Sequence, residues 1–251
     1  MNTTNAIEWQ IESIRTTIFF NGLLNTSALQ SWLEKVSNSG SIRLNITPSS
    51  FQGAARTTNG LLRVNWASNR LDVILASENP TNVQAIAPLS SANDLFTQVM
   101  LPLKDLGELP PANRIAYGLV LSCQVQNEST GLDLLSNHLT RVKLSKSSRD
   151  LLYRVNIPVE SKSISGLLLN RLATWLVGQI QILQVELRTD GSQVQSNLLE
   201  NVPFSTRLEM DLSTDAQKQL NCSTSDFEKL LCELSQISLD IAAHGESVLS
   251  D

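Results

Sequence analysis

The sequence predicts an α+β fold: a mainly antiparallel sheet in two lobes, with a C-terminal amphipathic helix. Three observations predict it. Short runs alternate apolar and polar residues, the pattern of strands with one buried face. Amphipathic runs interrupt them without the regular strand–helix beat of a parallel sheet. The last such run, "SDFEKLLCELSQISLDIAAHG" (225–245), sets Phe227, Leu230, Leu231, Leu234, Ile237 and Ile241 on one stripe. Ser225 with Glu228 makes a capping box, and Gly245 stands where a C-terminal cap belongs.

The other elements follow in order. Residues 7–20, rich in Ile, Thr and Phe, read as a strand. Leu29, Trp32, Leu33 and Val36 share a helix face, stopped near Asn38 and Gly40. Three strands follow, on Ile42/Leu44/Ile46, Leu62/Val64/Trp66 and Leu71/Val73/Leu75, the last two joined through "SNR" as an antiparallel hairpin. After a long loop (77–92), "NDLFTQVMLPLKDL" gives a helix capped by Asn93 and limited by Pro102. The stiff "LGELPPAN" divides the chain into lobes 1–107 and 108–251, or joins them within one domain.

The second half opens on the clearest strand, with Ile115, Tyr117, Leu119, Leu121, Cys123 and Val125 alternating. A short helix over 130–139 and a strand on Tyr153, Val155, Ile157 and Val159 come next. "SGLLLNRLATWLVGQIQILQVEL" reads as a helical or irregular entry up to Trp175, then strand at Ile180, Ile182 and Val185–Leu187. Leu208, Met210 and Leu212 make the last strand. No internal repeat at a fixed period is visible, and Trp9, Trp32, Trp66 and Trp175 all fall on apolar faces.

Composition narrows function. Charged residues are 17% of the chain and the net charge is -5. Lys and Arg form no runs, so nucleic acid is disfavoured, although folding can gather a basic patch from scattered positions. The first twenty residues lack the basic, apolar and cleavage segments of a secretory signal, and no stretch of ~18 apolar residues suggests a membrane span. Three cysteines with no CxxC fit free thiols in a cytoplasmic protein. The nucleophile elbow, phosphate loop, dinucleotide fingerprint and HExxH are all absent. No cofactor is expected.

Cys232 shares a second, narrow stripe of the closing helix with Ser235, Leu239 and Ala243, a face for packing on another surface. His244 lies roughly 18 Å further along the helix, too far for one metal ion to join it to Cys232. Arg114, at the head of the best strand, either bonds loop groups or faces a ligand between the lobes. Glu186, Glu209 and Asp211 alternate along strands, and facing carboxylates of that kind can hold Mg²⁺ in a hydrolase or nuclease.

Four pieces carry a resemblance: "NRIAYGLVL" around Arg114, "LNRLATW" from Leu169 to Trp175, "LEMDL" from Leu208 to Leu212, and the helix from Ser225 to Gly245. Their order resembles an uncharacterised, sporadically distributed bacterial family associated with mobile or phage-defence cassettes. That resemblance implies an accessory protein and supplies no catalytic residues. The leading expectation is a non-enzymatic subunit that binds a protein partner or its own copies. The alternatives are the metal-dependent hydrolase and a chaperone-like binder of unfolded chains.

Overall fold

The computed structural model describes residues 7–37, 42–78, 85–106, 110–145, 147–179, 185–187, 193–195, 203–216, 220 and 224–249. In chain order its elements are β1 (Gln10–Phe20), α1 (Thr26–Val36), β2 (Ile42–Thr47), β3 (Ser50–Thr57), β4 (Gly60–Ala67), β5 (Arg70–Ala76), β6 (Ala87–Pro88) and α2 (Ala92–Leu95). A wide turn over Phe96–Met100 and a tight one over Leu101–Asp105 continue α2. Then come β7 (Ala112–Val125), α3 (Glu128–Ser136), β8 (Leu152–Asn156), β9 (Val159–Glu160), β10 (Leu168–Gln179), β11 (Val185–Leu187), β12 (Gln193–Gln195), β13 (Phe204–Thr214) and α4 (Thr224–His244), closed by a tight turn over Gly245–Leu249. The α+β class is the observed one.

Eleven strands form one antiparallel sheet in the order β2-β3-β4-β5-β1-β7-β13-β10-β8, with β6 beside β1 and β9 beside β10. The two halves meet where β1 pairs with β7, Ile14 opposite Leu119 and Thr16 opposite Tyr117. With β2 and the short strands β6, β9, β11 and β12 set aside, each half runs strand, helix, three strands, helical segment. The inner strand of each half pairs with its own last strand, β1 with β5 and β7 with β13. The chain thus repeats a topology rather than a sequence period, which is why no repeat is visible in the letters. β2 is an added strand outside this repeat, at the first half's edge.

All four helices pack on one face. Leu33 of α1 lies on Gly53, where an added Cβ would stand 2.6 Å from its Cδ2. Gly131 lets α3 settle on β10, since a Cβ there would stand 2.6 Å from Val177 Cγ1. Phe96 meets Tyr117 edge-to-face at 5.9 Å. The Tyr117 hydroxyl bonds Ser235 and Ser238 of α4, and burial pushes it up to about 12. The four tryptophans are core residues, from fully buried Trp175 to Trp32 at 4% exposure. The "SNR" hairpin forms through Ser68 and Asn69, both at positive φ, as the twist of paired strands favours.

Four sequence expectations change. The entry from Leu168 to Trp175 is strand, not helix or irregular chain. Leu169, Ala173 and Trp175 face the core, but Leu168, Leu172 and Leu176 occupy the other side, so the apolar alternation is masked. Arg171 sits on the core side, its Nη1 donating to Val248 C=O and its Nε to Ile157 C=O. Strand β3 was not foreseen, because "FQGAART" holds weak strand formers that the contact with α1 requires. The helix after Asn93 breaks into short turns at Pro102. Ser225 is the second residue of α4, inside the helix rather than at its cap. Gly245 does end α4, at φ 64, against the His138 backbone. Ile180 and Ile182 lie outside the described residues.

Candidate functional site

Strand side chains alternate between faces, so residues beside the core positions all reach the face that no described helix covers. Eight of the chain's twelve arginines stand there: Arg43 and Arg56 on β2 and β3, Arg63 and Arg70 on β4 and β5, Arg15 and Arg114 at the centre, and Arg207 and Arg154 on β13 and β8. None of the described lysines does. Charge therefore separates: the chain is acidic overall, and this face carries mostly guanidinium groups.

Half of these arginines are neutralised within the chain. Arg207 bridges Glu12 at 2.8 Å and Glu209 at 2.6 Å. Arg70 holds Asp72 at 2.6 and 2.8 Å, and Asp72 also accepts from Thr17 Oγ1. Arg56 reaches Glu78 at 3.1 Å. Arg15 reaches Asp211 at 3.6 Å, across the intervening strand β7. Gly118 lies beneath that crossing, where a Cβ would stand in ordinary contact, 3.4 Å from Arg15 Nε. The other four, Arg43, Arg63, Arg114 and Arg154, have no carboxylate partner among the described residues. Arg114 instead donates to Ser213 Oγ at 2.9 Å and lies 5.9 Å from the Phe19 ring, whose centroid is 5.4 Å from Arg70.

Between these charges the face sinks into a trough of about 710 Å³. Ile74, Val120, Leu172 and Leu176 give it apolar walls, and Arg15, Arg154, Glu209 and Asp211 give it charge. Leu152, 68% exposed, stands at its rim.

A second hollow, of about 650 Å³, runs along one flank of α4 against the β9–β10 connection and the terminal turn. Val159, Ile237, Ile241 and Val248 line it. Burial alone would raise the Glu233 carboxyl there. Donors from Ser161 Oγ (2.7 Å) and the N–H groups of Lys162 (2.6 Å) and Ser163 (3.1 Å) hold it below the usual range instead. Glu233 thus pins the connection to the helix.

Cys232 is exposed and borders this hollow, its thiol raised by burial and by Glu228. Leu239 packs half-buried against the core and Ala243 is exposed, and neither lines the hollow. Ser235, the fourth member of that stripe, is buried under α4. The second stripe is therefore split. Arg114 belongs to the open face, far from α4 along the sequence and on the opposite side of the sheet.

Glu209 and Asp211 are neighbours on the open face, each against a guanidinium group, which a divalent cation would have to displace. Glu186 lies in the separate β11–β12 hairpin, and its side chain is outside the described residues. No three His, Cys, Asp or Glu side chains among the described residues come together as a metal site. No described helix is long and apolar enough to cross a membrane.

Sequence reasoning missed the arginine face, although its signal was present. Arg63 stands between core Leu62 and Val64, Arg43 between Ile42 and Leu44, and Arg207 beside core Leu208, and reading arginines at period two shows them on one side. Comparison of the chain with protein-family models and with curated proteins gave no match.

Proposed function

We propose that the protein is a non-enzymatic, protein-binding accessory subunit of a bacterial multi-protein system, with the helix-free face of its sheet as the docking surface. The single supporting observation is the gathering of eight arginines, without a described lysine, on that face. Interface cores are enriched in Arg and depleted in Lys. The planar fork of Arg pairs with carboxylates in two-point contacts and sheds water at lower cost than an ammonium. The apolar trough beside the arginines supplies area to bury. The partner is an acidic protein surface, whose carboxylates meet Arg43, Arg63, Arg114 and Arg154. Carboxylates interleaved with the arginines, and an acidic chain overall, oppose a nucleic-acid backbone. Anti-phage defence is the setting implied by the family resemblance.

Affinity capture from the native host tests this reading. The wild-type chain captures a stoichiometric partner, the Arg63→Glu/Arg154→Glu double variant loses it, and Lys162→Glu at the α4 hollow retains it. Capture unchanged by the double variant removes the docking face. Tight, salt-steep binding of a single-stranded oligonucleotide moves the reading to nucleic acid. A broad spectrum of unfolded chains moves it to a chaperone.

A further inference from the structure

We propose that the free edge of β2 pairs antiparallel with β2 of a second copy, joining two sheets across a twofold axis at Leu44. This surface is separate from the docking face, and the proposal does not depend on it.

β2 ends the sheet, so among the described residues one side of its backbone has no strand beside it. Its Thr47 pairs with Ser50 across a two-residue turn, as a hydrogen-bonded pair. Bonded and non-bonded pairs alternate from there. Arg43, Asn45 and Thr47 therefore bond β3, and Ile42, Leu44 and Ile46 aim their N–H and C=O groups at the free edge. The same three residues carry the apolar side chains, and Leu44 and Ile46 are 39% and 44% exposed.

Native edges are commonly guarded by a covering segment, proline or inward-pointing charge. The opposite edge strand, β8, is anchored on its helix side, where Tyr153 donates to Glu246 of the terminal turn and Val155 packs against the core. Among the described residues β2 has none of these guards along its length, and its sole charge, Arg43, points to the other face.

The strand is also complementary to itself. With Leu44 opposite Leu44 of the second copy, Ile42 faces Ile46 and every outward backbone group is bonded. On the other face Arg43 meets Asn45, an uncharged acceptor. The two neighbouring registers that keep bonded groups opposed both fail. One sets Arg43 against Arg43 of the second copy, a like-charge pair. The other sets Ile42 opposite Pro48, which has no N–H to give. The apolar order Ile-Leu-Ile reads the same in both directions, which favours this chain's own copy over an unrelated strand.

Sedimentation equilibrium across a wide concentration range tests the proposal. The 27.6 kDa chain is expected to reach twice that mass. Leu44→Lys, which sets two ammonium groups together on the axis, returns it to monomer. Leu44→Pro does the same by removing only an outward N–H, and it leaves the bonds to β3 intact. Register is read by cross-linking: under mild oxidation Leu44→Cys gives an interchain disulfide and Arg43→Cys does not. Both carry the same native cysteines. Melting curves matching wild type confirm that the variants are folded. A monomeric mass at every concentration overturns the proposal. So does a dimer untouched by both Leu44 variants, or equal cross-linking at the two positions.

Discussion

The two faces of the sheet are built by the same strands and show opposite chemistry. On one, Trp175, Tyr117, Phe51 and Leu62 are fully buried under helices, and the Tyr117 hydroxyl bonds Ser235 and Ser238. On the other, arginines and carboxylates alternate with apolar residues, and half the arginines have no carboxylate partner among the described residues. A sheet needs only one covered face to fold. The second face is free to be chosen for contact, the use proposed above for its arginines. Residues of the covered face should therefore carry stability, and residues of the open face should carry binding.

The sharpest way to break this contrast is Trp175→Ala. It empties a fully buried site and should cost about 3–5 kcal/mol, read by chemical denaturation. Next is Glu246→Ala at the edge of the covered layer. It strands the Tyr153 hydroxyl and the Arg141 N–H, at a cost of about 1–3 kcal/mol.

A smaller effect involves His138, edge-to-face with Trp9 at 6.2 Å. Burial, then the nearby His244, pulls its imidazole below the usual range. As pH falls, the unfolded chain takes up this proton first, near its ordinary pKa of about 6.5. Stability is full above that pH and declines below it until the folded site also protonates. Melting followed against pH should show a shallower acid decline for His138→Gln. The smallest effect belongs to the open face, where Arg63→Glu with Arg154→Glu should change stability by no more than ~0.5 kcal/mol.

How far the sequence reaches follows the same division. The core side of β7 and the stripe of α4 were legible because one face is apolar and the other is not. β10 was misread because leucines stand on both its faces, with Arg171 on the core side. β3 was missed because its inward Gly53 and Ala55 are small, to admit α1. For the site, Glu209 with Asp211, as a carboxylate pair, and Arg114, separately, were singled out and do share a face. Their arrangement with Arg15 was not legible, since it depends on β1, β7 and β13 lying side by side.

The most direct test of the central claim sets affinity beside stability in one variant. Titration calorimetry of the captured partner against wild type and Arg63→Glu/Arg154→Glu should show at least about a tenfold loss of affinity, about 1.4 kcal/mol, with an unchanged melting temperature. Unchanged affinity, or a loss that merely tracks a drop in melting temperature, would contradict it.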